Sequence, residues 1–212
     1  MQGYHLAMPT EDNRTGMTWL QRQVNLRAKE LGMLPGFLDH LHEESDWAFV
    51  IQCHALLETL LTEELIRTVG RHELRDHFRR LRMSDKIKLL ETLGRLAPDD
   101  RRFLALLSNV RNAFVHDLTK IRATLTGYIE SLANGDRANA ASTIGALLRR
   151  LFQPILGSDV EKKSDFEAFV HRAVSSHPRL LFSAGVTVVF DVLSRRDSGS
   201  PSGLPGHDEL GS

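Results

Sequence analysis

Leu104 to Leu118 reads LALLSNVRNAFVHDL. Leu104, Leu107, Val110 and Phe114 recur at the three-and-four spacing of an amphipathic helix, so the segment buries one side and leaves the other positions free. Within it lies the hexad Arg111, Asn112, Ala113, Phe114, Val115, His116. Asn112 and His116 are four apart and stack on one helix face, where both can act on one phosphate. Arg111 and His116 are five apart, about 140° round an ideal helix, so one straight helix keeps them from meeting. Three resolutions stay open: the helix ends or kinks here, the long Arg reaches round, or a second copy of the chain supplies the complementary half. A guanidinium grips a phosphodiester through two parallel hydrogen bonds, and an imidazole moves protons near neutral pH. Together they suit phosphoryl transfer without a metal.

Working outward, the flanking sequence is helical almost throughout. Ala97-Pro98-Asp99-Asp100 starts the hexad helix, with Pro near the first turn and acids at the positive end of the dipole. Before it, Ser84 with Asp85 predicts a capped helix whose Ile87, Leu89, Leu90, Leu93 and Leu96 face inward. Earlier still, Ser45 caps a long helix to about Val69, where Gly70 ends it. Its wide apolar stripe, from Phe49 through Ile66, implies more than one neighbour. Glu58 sits among those leucines, either at an edge or as the partner of a buried Arg. Thr18 to Leu31 predicts a first helix, broken by Leu34-Pro35-Gly36, with one more turn at Phe37 to Leu41.

After the hexad, Asp117 is placed to cap a helix from Leu118 to Leu132 that ends at Asn134-Gly135. Ala138 to Leu156 reads as the next, bent or ended by Pro154. Ser164-Asp165 caps another, and Pro178 opens the last, whose Leu181 to Leu193 is nearly continuous apolar sequence. Val-Thr-Val-Val-Phe within it also suits a strand, but no second strand exists for it to pair with, so a helix is expected. The fold class expected is all-α, a bundle of about six to eight helices. Residues 1–14 and the Ser/Gly/Pro-rich 194–212 are expected to be disordered, flanking one domain at 15–193 with a core at about 45–133 and further C-terminal helices at 136–193.

Arg67, Arg71, Arg75 and Arg79 follow one another at strict four-residue spacing, with Arg80 and Arg82 beside them. Between 67 and 82 six arginines face only Glu73 and Asp76. If the helix continues through Gly70, they form a ridge able to track a phosphate backbone. If it does not, the register fails. A solvated face with intrahelical ion pairs is the plainer reading.

Composition excludes several classes. Lys plus Arg equal Asp plus Glu at 27 each, so any nucleic-acid site is a local patch rather than a global charge. Hydrophobic content of 42% and charge of 25% are ordinary for a soluble globular protein. The single cysteine, Cys53, excludes an internal disulfide and a cysteine-based zinc cluster, and its apolar run suggests a buried, inert thiol. No HExxH, Walker loop, GxGxxG or nucleophile elbow is present, and no metal or other cofactor is expected. The start lacks the basic end and apolar run of a signal peptide, and no stretch approaches 18 apolar residues, so a cytoplasmic protein without a membrane segment is expected. His40 with His42, and Cys53 with His54, read as neighbours without a site.

Arg-Asn-x-x-x-His near the end of a leucine-rich helix resembles the R-x4-6-H motif of the HEPN superfamily, helical bundles that include metal-independent endoribonucleases of toxin and defence systems. Ser84 to Asp117, SDKIKLLETLGRLAPDDRRFLALLSNVRNAFVHD, with the earlier FVIQCHALLETLL, is also similar to the mannitol-operon-repressor family of helical proteins. The likeness covers roughly residues 45 to 120. It implies a HEPN-like core, a homodimer with two hexads across one cleft, RNA as substrate, and Arg111, Asn112 and His116 as catalytic residues. It further suggests that an acid on the preceding core helix, here Glu58, orients the motif Arg. The repressor-like branch implies instead a non-catalytic module that binds a protein partner, such as a transcription regulator. In a toxin system the partner is an antitoxin. Without catalysis, Arg111 and Asn112 form a helix-end network and His116 a C-terminal cap. No helix-turn-helix with a basic recognition helix is evident.

Overall fold

Ser45 sets where the first long helix begins. Its backbone is extended and its Oγ accepts the N–H of Ala48 at 3.2 Å, satisfying one of the donors that a helix start leaves without a partner. The computed structural model describes residues 44–116, 124–156 and 160–194, together with Arg22, Asn25 and Leu26. From Ser45, α1 spans Asp46–Val69 and stops at Gly70, whose φ of +67° is the left-handed conformation that closes a helix and sends its N–H back to the Ile66 carbonyl. A single 3-10 turn, His72–Leu74, leads to α2, Arg75–Arg80. There follow α3, Met83–Thr92, and α4, Pro98–His116. Then come α5, Leu125–Ser131, α6, Asn134–Leu156, α7, Val160–Ser176, and α8, Pro178–Ser194. Among the described residues no strand occurs, and the all-α bundle read from the sequence is the observed architecture.

Helix existence follows the sequence closely; several boundaries do not. α3 begins at Met83, with extended Arg82 as N-cap and no side-chain cap bond, so Ser84 lies inside the first turn. No single helix runs from Leu118 to Leu132. Thr124 is extended, its Oγ1 accepts the Gly127 N–H at 3.0 Å, and only Leu125–Ser131 coils behind it. A hydroxyl that offers a local cap outcompetes helix continuation at that point. Asn134 opens α6 instead of ending its predecessor, and α6 continues past Pro154 to Leu156. Ser164 lies within α7, which starts four residues earlier. Of the expected helix Thr18 to Leu31, Arg22, Asn25 and Leu26 are helical. The rest of it, the turn at Phe37 to Leu41, Asp117 and the expected disordered start at 1–14 lie outside the described residues; of the expected disordered tail at 194–212, Ser194 is the last residue of α8 and the remainder lies outside them too.

α8 occupies the centre. Leu181, Phe182, Ala184, Val186 and Val189 are fully buried, as are Ser183 and Thr187, whose hydroxyls bond back to the carbonyls four residues earlier. A helix that is apolar all round has to be enclosed, and α8 packs against α1, α5, α6 and α7. The C-terminal helices, expected as additions to a core at 45–133, therefore contribute its middle. Around them, Phe49, Cys53, Leu57, Leu61 and Leu65 of α1 and Phe103, Leu104, Leu107, Val110 and Phe114 of α4 form one apolar cluster with Ile144, Leu147 and Leu148 of α6. Each such Leu or Phe contributes about 2 kcal/mol by leaving water. α1 meets α2, α3, α4 and α8, as its wide stripe required.

α3 departs from the expected inward face. Met83, Lys86, Ile87 and Leu90 are buried, whereas Leu89 and Leu93 are 39% and 45% exposed. Only one phase of a 3.6-residue period faces the core, and that phase includes a lysine.

Polar ties fix the ends of these helices. Asp100, fully buried, accepts the Ala97 N–H at 3.3 Å and pairs with Arg150 of α6. Asp46 accepts the Leu125 N–H at 2.6 Å and pairs with Arg179 Nε at 3.0 Å, joining the starts of α1, α5 and α8.

Gly185 lies against Phe103, where an added methyl carbon would come within 2.4 Å of the ring. Gly185→Ala would gain about 1 kcal/mol of helix propensity, but overpacking costs typically 1–3 kcal/mol. An approach of 2.4 Å puts the overpacking at the upper end of that range, so a net destabilisation of about 2 kcal/mol in urea unfolding is expected; an unchanged or raised midpoint would mean the α4–α8 contact is looser than described.

Candidate functional site

α4 carries the whole hexad within one helix that runs to His116. Within one chain the Arg111 and His116 side chains leave the helix about 140° apart. Arg111 is half-buried; Asn112 and His116 are exposed. Arg111 Nη1 donates to Asn112 Oδ1 at 3.1 Å. Asn112 in turn shares the outer face with His116, one turn on. Arg111 and Asn112 are bonded and Asn112 shares a helix face with His116, but Arg111 and His116 leave the helix on different sides.

Arg111 lies near enough to a polar seam between α1, α3 and α4 for its charge to act on His54 there. In that seam Lys86 Nζ lies 3.0 Å from Glu58 Oε1, and His54 Nδ1 lies 3.8 Å from Glu58 Oε2. The Lys86 side chain is 2% exposed, that of His54 13%, that of Glu58 33%. Burial lowers the His54 pKa below its ordinary value; Glu58 opposes the shift, and the positive charges of Arg111 and Lys86 reinforce it. Glu58 is therefore the partner of a buried lysine and a neighbouring histidine. Among the described residues it makes no bond or ion pair to Arg111, the role suggested for it in the sequence.

His54 and Lys86 are members of the seam that sequence reasoning passed over. His54 and Glu58 are four apart on α1, a spacing that was legible. Lys86 left a fainter sign: a charge in phase with Ile87 and Leu90, at an inward position of α3. A small cleft of about 320 Å³ opens beside this seam, with Glu58 and Thr59 of α1, Arg79 of α2 and Lys86 of α3 on its walls.

The arginine ridge does not form, because Gly70 and the extended Arg71 break the helix that would align it. Arg67 pairs with the fully buried Glu64 and donates to the Leu193 carbonyl at 2.5 Å, tying α1 to the end of α8. Arg71 sits 3.5 Å from Glu73, Arg75 pairs with Glu63, and Arg79 is 3.9 Å from Asp76. Arg80 and Arg82 are exposed and carry no ion pair among the described residues. Cys53 is fully buried, and burial pushes its thiol up to about 12, with only partial opposition from Arg179. Among the described residues no three His, Cys, Asp or Glu side chains gather as metal donors, and no helix is long and apolar enough to cross a membrane.

The fold and seam define an all-α bundle with a polar seam at the junction of three helices and a small cleft beside it. Set beside protein-family models, curated proteins and solved structures, the chain matches none of them.

Two outcomes follow from the seam. Glu58→Gln strands a buried lysine, a loss of about 3 kcal/mol or more for a fully buried pair, which the partial exposure of Glu58 reduces to about 2 kcal/mol. Glu58→Gln with Lys86→Met should recover most of it in denaturant titrations; a harmless single variant would refute the pairing. For His54, the folded state resists a proton that the unfolded chain accepts, so stability rises with pH toward the ordinary imidazole range near 6.5 and falls on acidification below it. Unfolding midpoints measured from pH 5 to 7.5 should show this slope in the wild type and a shallower one in His54→Gln.

Proposed function

We propose that the chain is a metal-independent endoribonuclease of the HEPN type, acting as a homodimer on RNA. The observation that carries this reading is the hexad on α4: Arg111 bonded to Asn112, with Asn112 and His116 both exposed one turn apart. That face also supports a two-fold partner. Ala105, Asn109, Asn112 and His116 are all exposed and spaced four, three and four, an uncharged stripe up to the histidine and narrow enough for a second α4 to approach. Across such an axis Arg111 of one copy faces His116 of the other, which resolves their 140° separation.

In this mechanism the 2′-hydroxyl of the RNA attacks the adjacent phosphorus. His116 removes the hydroxyl proton or delivers one to the leaving 5′-oxygen. Arg111 holds the charge that grows on the non-bridging oxygens, and Asn112 donates to one of them. The 2′-oxygen to phosphorus bond forms as the 5′-oxygen bond breaks, leaving a 2′,3′-cyclic phosphate and a 5′-hydroxyl. The protein supplies placement and charge, and RNA supplies the nucleophile.

A second reading is a non-catalytic regulatory module of the mannitol-operon-repressor type that binds a protein partner. It is favoured by the failure of Arg111 and His116 to meet within one chain.

Purified chain incubated with a mixed RNA pool in EDTA should yield cyclic phosphate ends, and Arg111→Ala or His116→Ala should each lower the rate by about 100-fold or more. Mixing the two inactive variants should restore about a quarter of the activity, because one site of each mixed dimer is then intact. An RNA pool left whole by folded wild type would sink the enzyme reading in favour of the module.

A further inference from the structure

The surroundings of Arg111 on its own chain hold a second feature. Helix directions follow from cross-links at both ends of the seam. Glu58 pairs with Lys86 and Thr68 with Arg95, so α1 and α3 run the same way. Glu91 pairs with Arg101, while Ser108 Oγ lies 3.4 Å from Met83 Sδ, so α4 runs oppositely. His54 lies one turn before Glu58, Arg111 one turn after Ser108, and Arg82 immediately before Met83. All three therefore collect at one end of the seam, with Lys86 one turn along.

Charge there is unbalanced. Arg82, Lys86 and Arg111 are cations and His54 is a fourth nitrogen base, while Glu58 is the acid bonded within the seam. Among the described residues, Asp85 is the further acid near that end, and it stands on the exposed side of α3. Arg111 has no carboxylate partner among the described residues; its one bond goes to a neutral amide. Glu58 balances Lys86, so the half-buried Arg111 guanidinium is the cation left without a carboxylate, and burying it that far is costly unless an anion reaches it.

We propose that His54, Lys86 and Arg111 form a single phosphodiester site at the junction of α1, α3 and α4, with Glu58 as the internal counter-ion the ligand competes with. His54 is a positioning and binding residue here: it holds the phosphate that Arg111 grips. Proton transfer at the ribose remains with His116. The inference rests on the role given above to Arg111 as a phosphate ligand, and not on cleavage. Exposed Arg82 extends the same surface toward the next phosphate along a strand.

The site predicts a pH dependence. An anion favours the protonated imidazole, and Glu58, Lys86 and Arg111 are the charged groups that act on His54. Affinity should rise as pH falls from 7.5 toward 5.5, and should be flatter in His54→Gln.

The test uses the full chain and the DNA dinucleotide dTpdT, a phosphodiester without the 2′-hydroxyl, so that binding is read apart from cleavage. NMR of the histidine rings, with His54 assigned from the His54→Gln spectrum, follows the imidazole titration with and without dTpdT. The expected result is an upward shift of the His54 titration on saturation, and about tenfold weaker binding in both His54→Gln and Arg111→Gln. The wild-type signal reads the site directly, so the result stands even if a variant folds poorly. A His54 ring that titrates identically with dTpdT bound, or folded wild type that binds no dTpdT, overturns the inference. RNA cleavage with His54 unmoved would overturn it while sparing the ribonuclease reading. Binding through His54 with RNA left intact would do the reverse.

Discussion

Enclosure of α8 is the constraint from which the rest follows. Its apolar residues point in every direction, so no single face can be left to water. With each large side chain contributing about 2 kcal/mol when buried, leaving α8 on the surface would cost more than a domain's whole margin of stability. The long helices α1 and α6 pack against it together with α5 and α7. Both ends are tied by charge. Arg179, in its first turn, pairs with Asp46, donates to the Glu44 carbonyl at 2.5 Å and lies 5.1 Å over the Phe49 ring. At the other end Arg67 meets the Leu193 carbonyl, where a cation suits the negative end of the helix dipole.

These ties decide what is left for chemistry. Arg67 is spent on the end of α8, and Arg71 and Arg75 have acids beside them, so a phosphate-binding surface built from the 67–79 spacing is not available. α4 is held from within by Phe103 against Phe182, with ring centroids 6.0 Å apart, and at its start by Asp100 with Arg150. A helix anchored on its inner side presents its outer side in one orientation, and that orientation sets Asn112 and His116 toward solvent and Arg111 toward the seam. Arg111, by contrast, makes no ion pair among the described residues, and its one bond goes to the neutral amide of Asn112.

Much of this was legible. Ser45, Gly70 and Pro98 marked helix ends correctly, because each acts through its own backbone and the nearest turn. The same locality misled at Ser84 and Ser164: a good capping residue starts a helix only where the preceding chain is extended, and at Ser164 it is already coiled. Leu89 and Leu93 were assigned inward on hydrophobicity alone, whereas Lys86 took the inward phase because Glu58 of α1 waits there to receive it. His54 looked idle until α3 and α4 were placed beside it.

What the sequence determined by itself was most of the helices though not α2, the ends marked by Ser45, Gly70, Pro98 and Pro178, the presence of a helix apolar all round and the order of Arg111, Asn112 and His116 along another. All of these depend on residues within about one turn of each other. Tertiary structure alone decided which arginines are consumed in holding the bundle and that a lysine is buried against Glu58. It also decided that His54 shares a seam with Arg111, 57 positions further along the chain. Helix periodicity fixes the direction in which a side chain leaves its axis, but not the neighbour it meets, and that neighbour is set by how helices distant in sequence pack around α8.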